Sequence, residues 1–286
     1  MVPEIQFIDK FFDAASGDSL SILRLDLPDP ISGGNKIYKM KYNLEEIAHL
    51  GLKRILTFGG AYSNHIAATA TAGKKNGFET IGIIRGNELN ENSNAVLKYA
   101  SSCGMKLVFV SRADYRKRNE TIFKNLLIEK YGPLYLLPEG GSNSLAVQGC
   151  KEIMSFETEK FDVIICPVGS GATLAGIIAA AKTHQHVIGI AVLKGKDYLE
   201  DEVNKLLEGE SPVCKWEINH SFTFGGYGNS SHELIEFISE VKRTHQLPLD
   251  PVYSGKALFA AIRIGENPGF QDKKVLFIHT GGYAFS

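Results

Sequence analysis

The chain of 286 residues has little cysteine, a single tryptophan and no excess of charge of either sign. Its four cysteines, Cys103, Cys150, Cys166 and Cys214, form no Cys-x-x-Cys pair and have no histidine at metal-ligand spacing. That excludes a disulfide framework and fits buried free thiols in a reducing compartment. No metal site is expected. Lysine plus arginine is 31 against 32 for aspartate plus glutamate, a net charge of −1. So even a balance leaves no footprint for nucleic acid or an anionic membrane, and a small-molecule partner remains. Long apolar runs are also missing. The uncharged stretch 163–181 is interrupted by Pro167, Gly169, Gly171 and Gly176, whereas a spanning helix needs about 20 mostly apolar residues. A buried strand, a glycine turn and a buried helix fit it better. Glu4 sits where an export signal would be basic, so a cytoplasmic location is expected.

What the chain does have is ordinary globular composition, 44% hydrophobic and 22% charged, arranged in alternation. Short β-rich runs fall at 55–58, 80–84, 106–110, 134–137, 163–166, 187–192 and 275–279. Stretches with apolar spacing of three and four lie between them, at 92–103, 114–131, 142–157 and 230–245. This alternation predicts an α/β fold with mostly parallel sheets flanked by helices. The charged region after Val192 reads as a solvated helix and loop without visible chemistry.

Glycine is concentrated at Gly33-Gly34, Gly59-Gly60, Gly169-Ser170-Gly171 and Gly281-Gly282. Three of these follow an apolar run, where α/β folds place ligands at the carboxyl ends of strands. Any one pair is explained by a tight turn, but four with polar neighbours point to one pocket. The segment from Gly169 through Ser170, Gly171 and Ala172 to Thr173 follows a strand and opens a helix, so its amides and two hydroxyls suit an anion. No Gly-Lys-Ser/Thr follows, and the dinucleotide fingerprint is absent. A phosphate needing neither magnesium nor a lysine clamp is the expectation. Lys36 opens a helical pattern after Gly33-Gly34-Asn35, where a pocket lysine could form a Schiff base. Lys39 and Lys41 are its near rivals. Ser63 and Asn64 occupy another strand-to-helix turn, where Ser63 could equally be a plain helix cap.

Five motifs in order carry a resemblance: Gly33-Gly34-Asn35-Lys36; Gly59-Gly60-x-x-Ser63-Asn64-His65; Gly169 to Thr173; Asp250-Pro-Val-Tyr-Ser-Gly-Lys256; and His279-Thr-Gly-Gly282. The chain resembles the 1-aminocyclopropane-1-carboxylate deaminase / D-cysteine desulfhydrase family of pyridoxal-phosphate enzymes, from about Arg24 to Gly282. The resemblance implies the tryptophan synthase β-like fold (fold type II), with two open, mostly parallel sheets flanked by helices. It implies pyridoxal 5′-phosphate as cofactor, a small amino-acid substrate and a homodimer. Residues 1–39 and 143–286 would form the larger cofactor-binding domain, and 40–142 a smaller inserted α/β domain that closes over the substrate.

By the same resemblance Lys36 would hold the cofactor and move the α-proton. Asn64 would bond the ring oxygen, and Gly169, Ser170, Gly171, Ala172 and Thr173 would cradle the phosphate. Ser63 would meet the substrate carboxylate or take part in proton transfer. Tyr227 and Tyr253 are acid/base candidates on the substrate side, Ser254 and Thr280 complete the cofactor set, and His65 reads as an orienting or packing histidine. True aminocyclopropane deaminases carry a glutamate after the tyrosine of Asp-Pro-Val-Tyr, and this chain has Ser254. Asn64-His65 also leans to the desulfhydrases. The expected reaction is D-cysteine to pyruvate, ammonia and sulfide, with ring-opening of aminocyclopropane carboxylate as the alternative. A non-catalytic cofactor-binding protein or amino-acid sensor is the reading from another class. Lys36, Ser63, Asn64 and Tyr253 together weigh against it.

Overall fold

The computed structural model describes residues 3–8, 20–27, 29, 31, 33–193, 195, 198–226, 228–270 and 272–282. Among them, the strands are β1 (Glu4–Ile8), β2 (Leu20–Arg24), β3 (Arg54–Gly59), β4 (Glu79–Arg85), β5 (Lys106–Val110), β6 (Tyr135–Leu137), β7 (Val163–Val168), β8 (His186–Ala191), β9 (Lys215–Asn219) and β10 (Val275–His279). The helices are α1 (Asn35–His49), α2 (Asn64–Asn76), α3 (Ala95–Ser102), α4 (Arg112–Arg116), α5 (Thr121–Tyr131), α6 (Ser144–Lys151), α7 (Ala172–Ala180), α8 (Tyr198–Leu206), α9 (His232–His245) and α10 (Ser254–Gly265).

The strands form two sheets. One has six strands in the order β1-β2-β10-β7-β8-β9, the other four in the order β5-β4-β3-β6. Only β1 pairs antiparallel; every other pairing is parallel. Buried parallel strands read as continuous apolar runs, and β7 (Val-Ile-Ile-Cys-Pro-Val) is buried at every position. The six-stranded sheet is packed on both faces. Ile164, Cys166, Leu276 and Ile278 pack with the residues of α6 and α7. Ile165, Ile188, Val275 and Phe277 pack with Ala257, Leu258 and Ala261 of α10. The smaller sheet has its own core, with Leu56, Phe58, Ile81 and Ile83 on one side and Ile84, Ile66 and Leu97 on the other.

Two differences from the sequence reading stand out. The stretch 114–131 is broken, because Glu120 is extended (φ −72°, ψ 134°) between α4 and α5. The charged region after Val192 contains α8, whose Leu199 and Val203 are fully buried.

The start of α1 is pressed against the end of β10. Asn35 donates its backbone N–H to the Thr280 carbonyl at 3.2 Å. Gly34 caps the helix with φ 68°, and a Cβ there would lie 2.0 Å from the same carbonyl. Only glycine fits both the conformation and the contact. The contact sets Lys36 at the carboxyl end of the six-stranded sheet.

Candidate active site

The glycine-marked turns converge on one cleft of about 1110 Å³, with walls from both sheets. Lys36, Ser63, Asn64, Tyr253 and Thr280 line it, as do Gly169, Ser170, Gly171 and Thr173. Ala172 is buried in the first turn of α7, where only its backbone could serve a ligand. Tyr227 lies outside the described residues.

The phosphate-like site is the turn between β7 and α7. The first amides of a helix have no carbonyl one turn back and carry its positive end. Gly171 adopts φ 85° there, and a Cβ on it would press on Val203 Cγ2 at 3.2 Å and Leu206 Cδ1 at 3.3 Å, both on α8. The α8 region, chemically blank in the sequence, therefore backs the anion turn. Thr173 Oγ1 accepts from Asn35 Nδ2 at 2.8 Å, tying the turn to α1.

Lys39 corrects the expectation of a turn without lysine. It is buried, and its Nζ donates to the Gly140 carbonyl at 3.0 Å and to Ser170 Oγ at 3.2 Å. Ser142 Oγ donates to Ser170 Oγ at 2.6 Å. A cation and a serine pair thus sit beside the anion turn. Their signal in sequence was Lys39 lying three residues after Lys36, hence on the same helix face; Ser142 gave none. Lys41, the other rival, points away and pairs with Glu152 at 2.7 Å.

Lys36 is the amine best suited to condense with a carbonyl. Its Nζ donates to Asn35 Oδ1 at 2.9 Å. Burial, and then the charge of Lys39, bring its pKa down to about 7, so a large neutral fraction exists near neutrality.

On the opposite wall, Ser63 caps α2 without spending its side chain on a cap bond. Its hydroxyl is thereby left for the cleft. Asn64 Nδ2 donates to the Gly282 carbonyl at 3.2 Å, linking this wall to the glycines after β10. His65 is buried. Thr57 Oγ1 donates to the Leu137 carbonyl at 2.9 Å, so its 2.7 Å contact with His65 Nε2 assigns the donor role to the histidine. His65 Nδ1 is then an acceptor, and it has no partner among the described residues. Burial and the charges of Lys36 and Lys39 hold this ring well below the usual histidine range, hence neutral.

Tyr253 borders the anion turn, its Cε1 3.1 Å from where a Cβ on Gly169 would sit. Ser254 is fully buried and does not line the cleft. Its hydroxyl donates to Asp250 Oδ2 at 2.6 Å and accepts from the Asp250 amide at 2.9 Å. Asp250 also takes the amides of Val252, Tyr253 and Ser254, which fixes the start of α10.

An anion turn backed by a lysine, a half-buried amine with a lowered pKa and an unpartnered buried acceptor fit an aldehyde that carries a phosphate. Comparison with known proteins agrees. The family model described as "Pyridoxal-phosphate dependent enzyme" matches residues 10–281. A Thermotoga maritima protein named "Putative 1-aminocyclopropane-1-carboxylate deaminase" is 32% identical over 97% of this chain and 93% of its own. An Arabidopsis thaliana protein named "Bifunctional D-cysteine desulfhydrase/1-aminocyclopropane-1-carboxylate deaminase, mitochondrial" is 33% identical over 93% of this chain and 73% of its own. A crystal structure described as that of an ACC deaminase homologue superposes with a TM-score of 0.84 at 28% identity, covering 100% of this chain and 90% of that one. The chain belongs to the pyridoxal-phosphate-dependent enzymes of fold type II, in the family of 1-aminocyclopropane-1-carboxylate deaminase and D-cysteine desulfhydrase.

Proposed function

We propose that this enzyme deaminates a small amino acid by elimination, with D-cysteine, converted to pyruvate, ammonia and sulfide, as the substrate its geometry favours. Bound in the cleft, pyridoxal phosphate would supply a conjugated sink for electrons released at the substrate α-carbon. Lys39, Ser170 and the amides of Gly169 to Thr173 would hold the phosphate, and Asn64 would orient the ring. Lys36, with its pKa near 7, is suited to take and return the α-proton. Ser63 and the first amides of α2 would receive the substrate carboxylate. Tyr253, beside the anion turn, would act as acid toward the leaving group. Closure of the unit 40–142 over the substrate, shutting out water, is part of this reading.

The observation that carries the choice of substrate is Ser254. Its short side chain turns back onto Asp250, so position 254 sends no carboxylate into the cleft that could keep a ring nitrogen protonated. A neutral ring withdraws less charge. Sulfide is a good leaving group, the free cysteine thiol having a pKa of about 8.5, and tolerates a weaker sink. Opening a cyclopropane breaks a carbon–carbon bond and demands a stronger one.

Ring-opening of aminocyclopropane carboxylate to 2-oxobutanoate and ammonia is the second reading. The names weigh toward it, since the Thermotoga maritima relative is named for that activity alone and the Arabidopsis thaliana relative for both. The test is the ratio of kcat/KM for the two substrates in the wild type and in Ser254→Glu. The expected wild type prefers D-cysteine, and the variant shifts toward ring-opening. A wild type that prefers aminocyclopropane carboxylate establishes the second reading, and turnover of neither substrate favours a sensor.

A further inference from the structure

A second lysine of the motif segment takes part in none of this chemistry. Lys256, in the first turn of α10, is fully buried. Its Nζ donates to the carbonyls of Gly226 at 2.7 Å and Thr223 at 2.9 Å, and approaches that of Val192 at 3.5 Å. Among the described residues no carboxylate stands within ion-pair distance of it. An ammonium has three N–H donors and no acceptor, and three main-chain carbonyls surround this one, as they would an alkali cation.

The carbonyls belong to two segments that need holding. Val192 directly follows β8, and Thr223 to Gly226 form a turn with three successive left-handed residues: Phe224 (φ 49°), Gly225 (φ 86°) and Gly226 (φ 112°). Phe224 is not a glycine, so its left-handed conformation is strained and persists only where the surroundings enforce it. α10 supplies that enforcement twice, through Lys256 and through Phe259, whose ring meets Phe224 edge-on at 5.5 Å. The turn faces the active site, because Gly225, Gly226 and Asn229 line the cleft.

We propose that Lys256 is a positioning residue, a built-in cation whose ammonium holds the Thr223–Gly226 turn and thereby shapes the substrate side of the cleft. Removing the side chain leaves a carbonyl-lined hollow suited to a small alkylammonium ion. Only the turnover arm of the test rests on the proposed function.

The experiment uses the holoenzyme and compares Lys256→Ala with Lys256→Met, which keeps the bulk and loses the charge. Both should melt cooperatively and keep the cofactor absorbance. Amide exchange over residues 221–229 should rise about tenfold or more in both, and kcat/KM should fall by a similar factor. Ethylammonium chloride should restore protection and turnover to Lys256→Ala but not to Lys256→Met, where the methionine fills the hollow, and sodium chloride at equal ionic strength should do neither. Unchanged exchange in both variants overturns the proposal. So does a loss that ethylammonium does not restore, which would mean lost packing and not lost charge. Failure of both variants to fold also overturns it, since Lys256 would then hold the fold and not the turn. Should the wild type turn over neither amino acid, the proposed function falls while the exchange arm still decides the clamp.

Discussion

On the proposed reading, the wall of the cleft built on the six-stranded sheet would meet a ligand chiefly with main chain, whereas the wall built on the four-stranded sheet would meet it with side chains. On the first, the turn from β7 into α7 offers amides, and Gly171 takes a conformation that side chains resist. On the second, the turn from β3 into α2 offers the Ser63 hydroxyl, the Asn64 amide and the His65 ring. The first wall should therefore fail when a Cβ is added at Gly171, even with Lys39 and Ser170 in place. The second should tolerate small shifts of backbone and fail when a functional group is lost. Anchoring and chemistry would thus be divided between the two, with Lys36 at the start of α1 serving both.

The largest effect is expected at the residue common to both walls. Lys36→Ala should lose the cofactor's yellow colour under dilution and lower turnover by about a thousandfold or more, since positioned proton transfer alone contributes 10²–10⁴. Borohydride followed by peptide mapping should place the label on Lys36. A label on Lys39 would reverse the assignment of the two lysines. The same lysine predicts a pH profile. Its folded pKa lies below the unfolded value, so the neutral, nucleophilic form dominates above about 7 and is lost as pH falls through that value. Uptake of pyridoxal phosphate by the apo-protein should be about tenfold faster at pH 8 than at pH 6. An uptake rate still climbing steeply beyond pH 9 would place the reacting amine in water.

Ser63→Ala should come next, and it tests the side-chain wall. Turnover should fall about a hundredfold while cofactor affinity and colour are kept. Loss of the cofactor in this variant would erase the division between the walls. Gly171→Val tests the other wall and should act in reverse. Strain at φ 85° and pressure on Val203 and Leu206 should weaken cofactor binding by about tenfold to a hundredfold, with kcat at saturating cofactor little changed. An equilibrium titration of the apo-protein reads this directly, and equal affinity in variant and wild type would show that the turn does not hold the phosphate.

The same division explains what the sequence disclosed. Buried continuous apolar runs were legible, as with Val163–Val168 and Val275–His279, because such runs have few other solutions. The half-exposed edge strands β1 and β9 and the short buried β2 were not, although the edge strand β5 was. The main-chain wall was legible through its glycines, which mark where backbone must approach a ligand. The place of Lys39 beside the anion turn is not legible in sequence, because Gly140 and Ser170, which accept from its ammonium, are brought to it by tertiary structure alone. The motif places Ser254 among the cofactor residues, yet its hydroxyl is spent on Asp250, a local bond that short polar side chains often make and that sequence does not orient. Lys256 stood in a quoted motif without a role, since its partners are main-chain carbonyls and carry no sequence signature.

The strand order has a consequence for the time course of synthesis. The four-stranded sheet uses one continuous stretch, from β3 to β6, and every contact it needs is present once that stretch has emerged from the ribosome. The six-stranded sheet has β10, the last strand in chain order, at its middle between β2 and β7. Val275 pairs with Leu20 on one side and Val163 on the other. Closing so long a loop is slow, and early segments must wait with open strand edges. Because Gly34 and Asn35 lean on the Thr280 carbonyl, Lys36 gains its final setting only when that last strand slots in. On the proposed reading a nascent chain would thus complete its substrate wall long before it could hold a cofactor, so that catalytic competence would arrive in one late step.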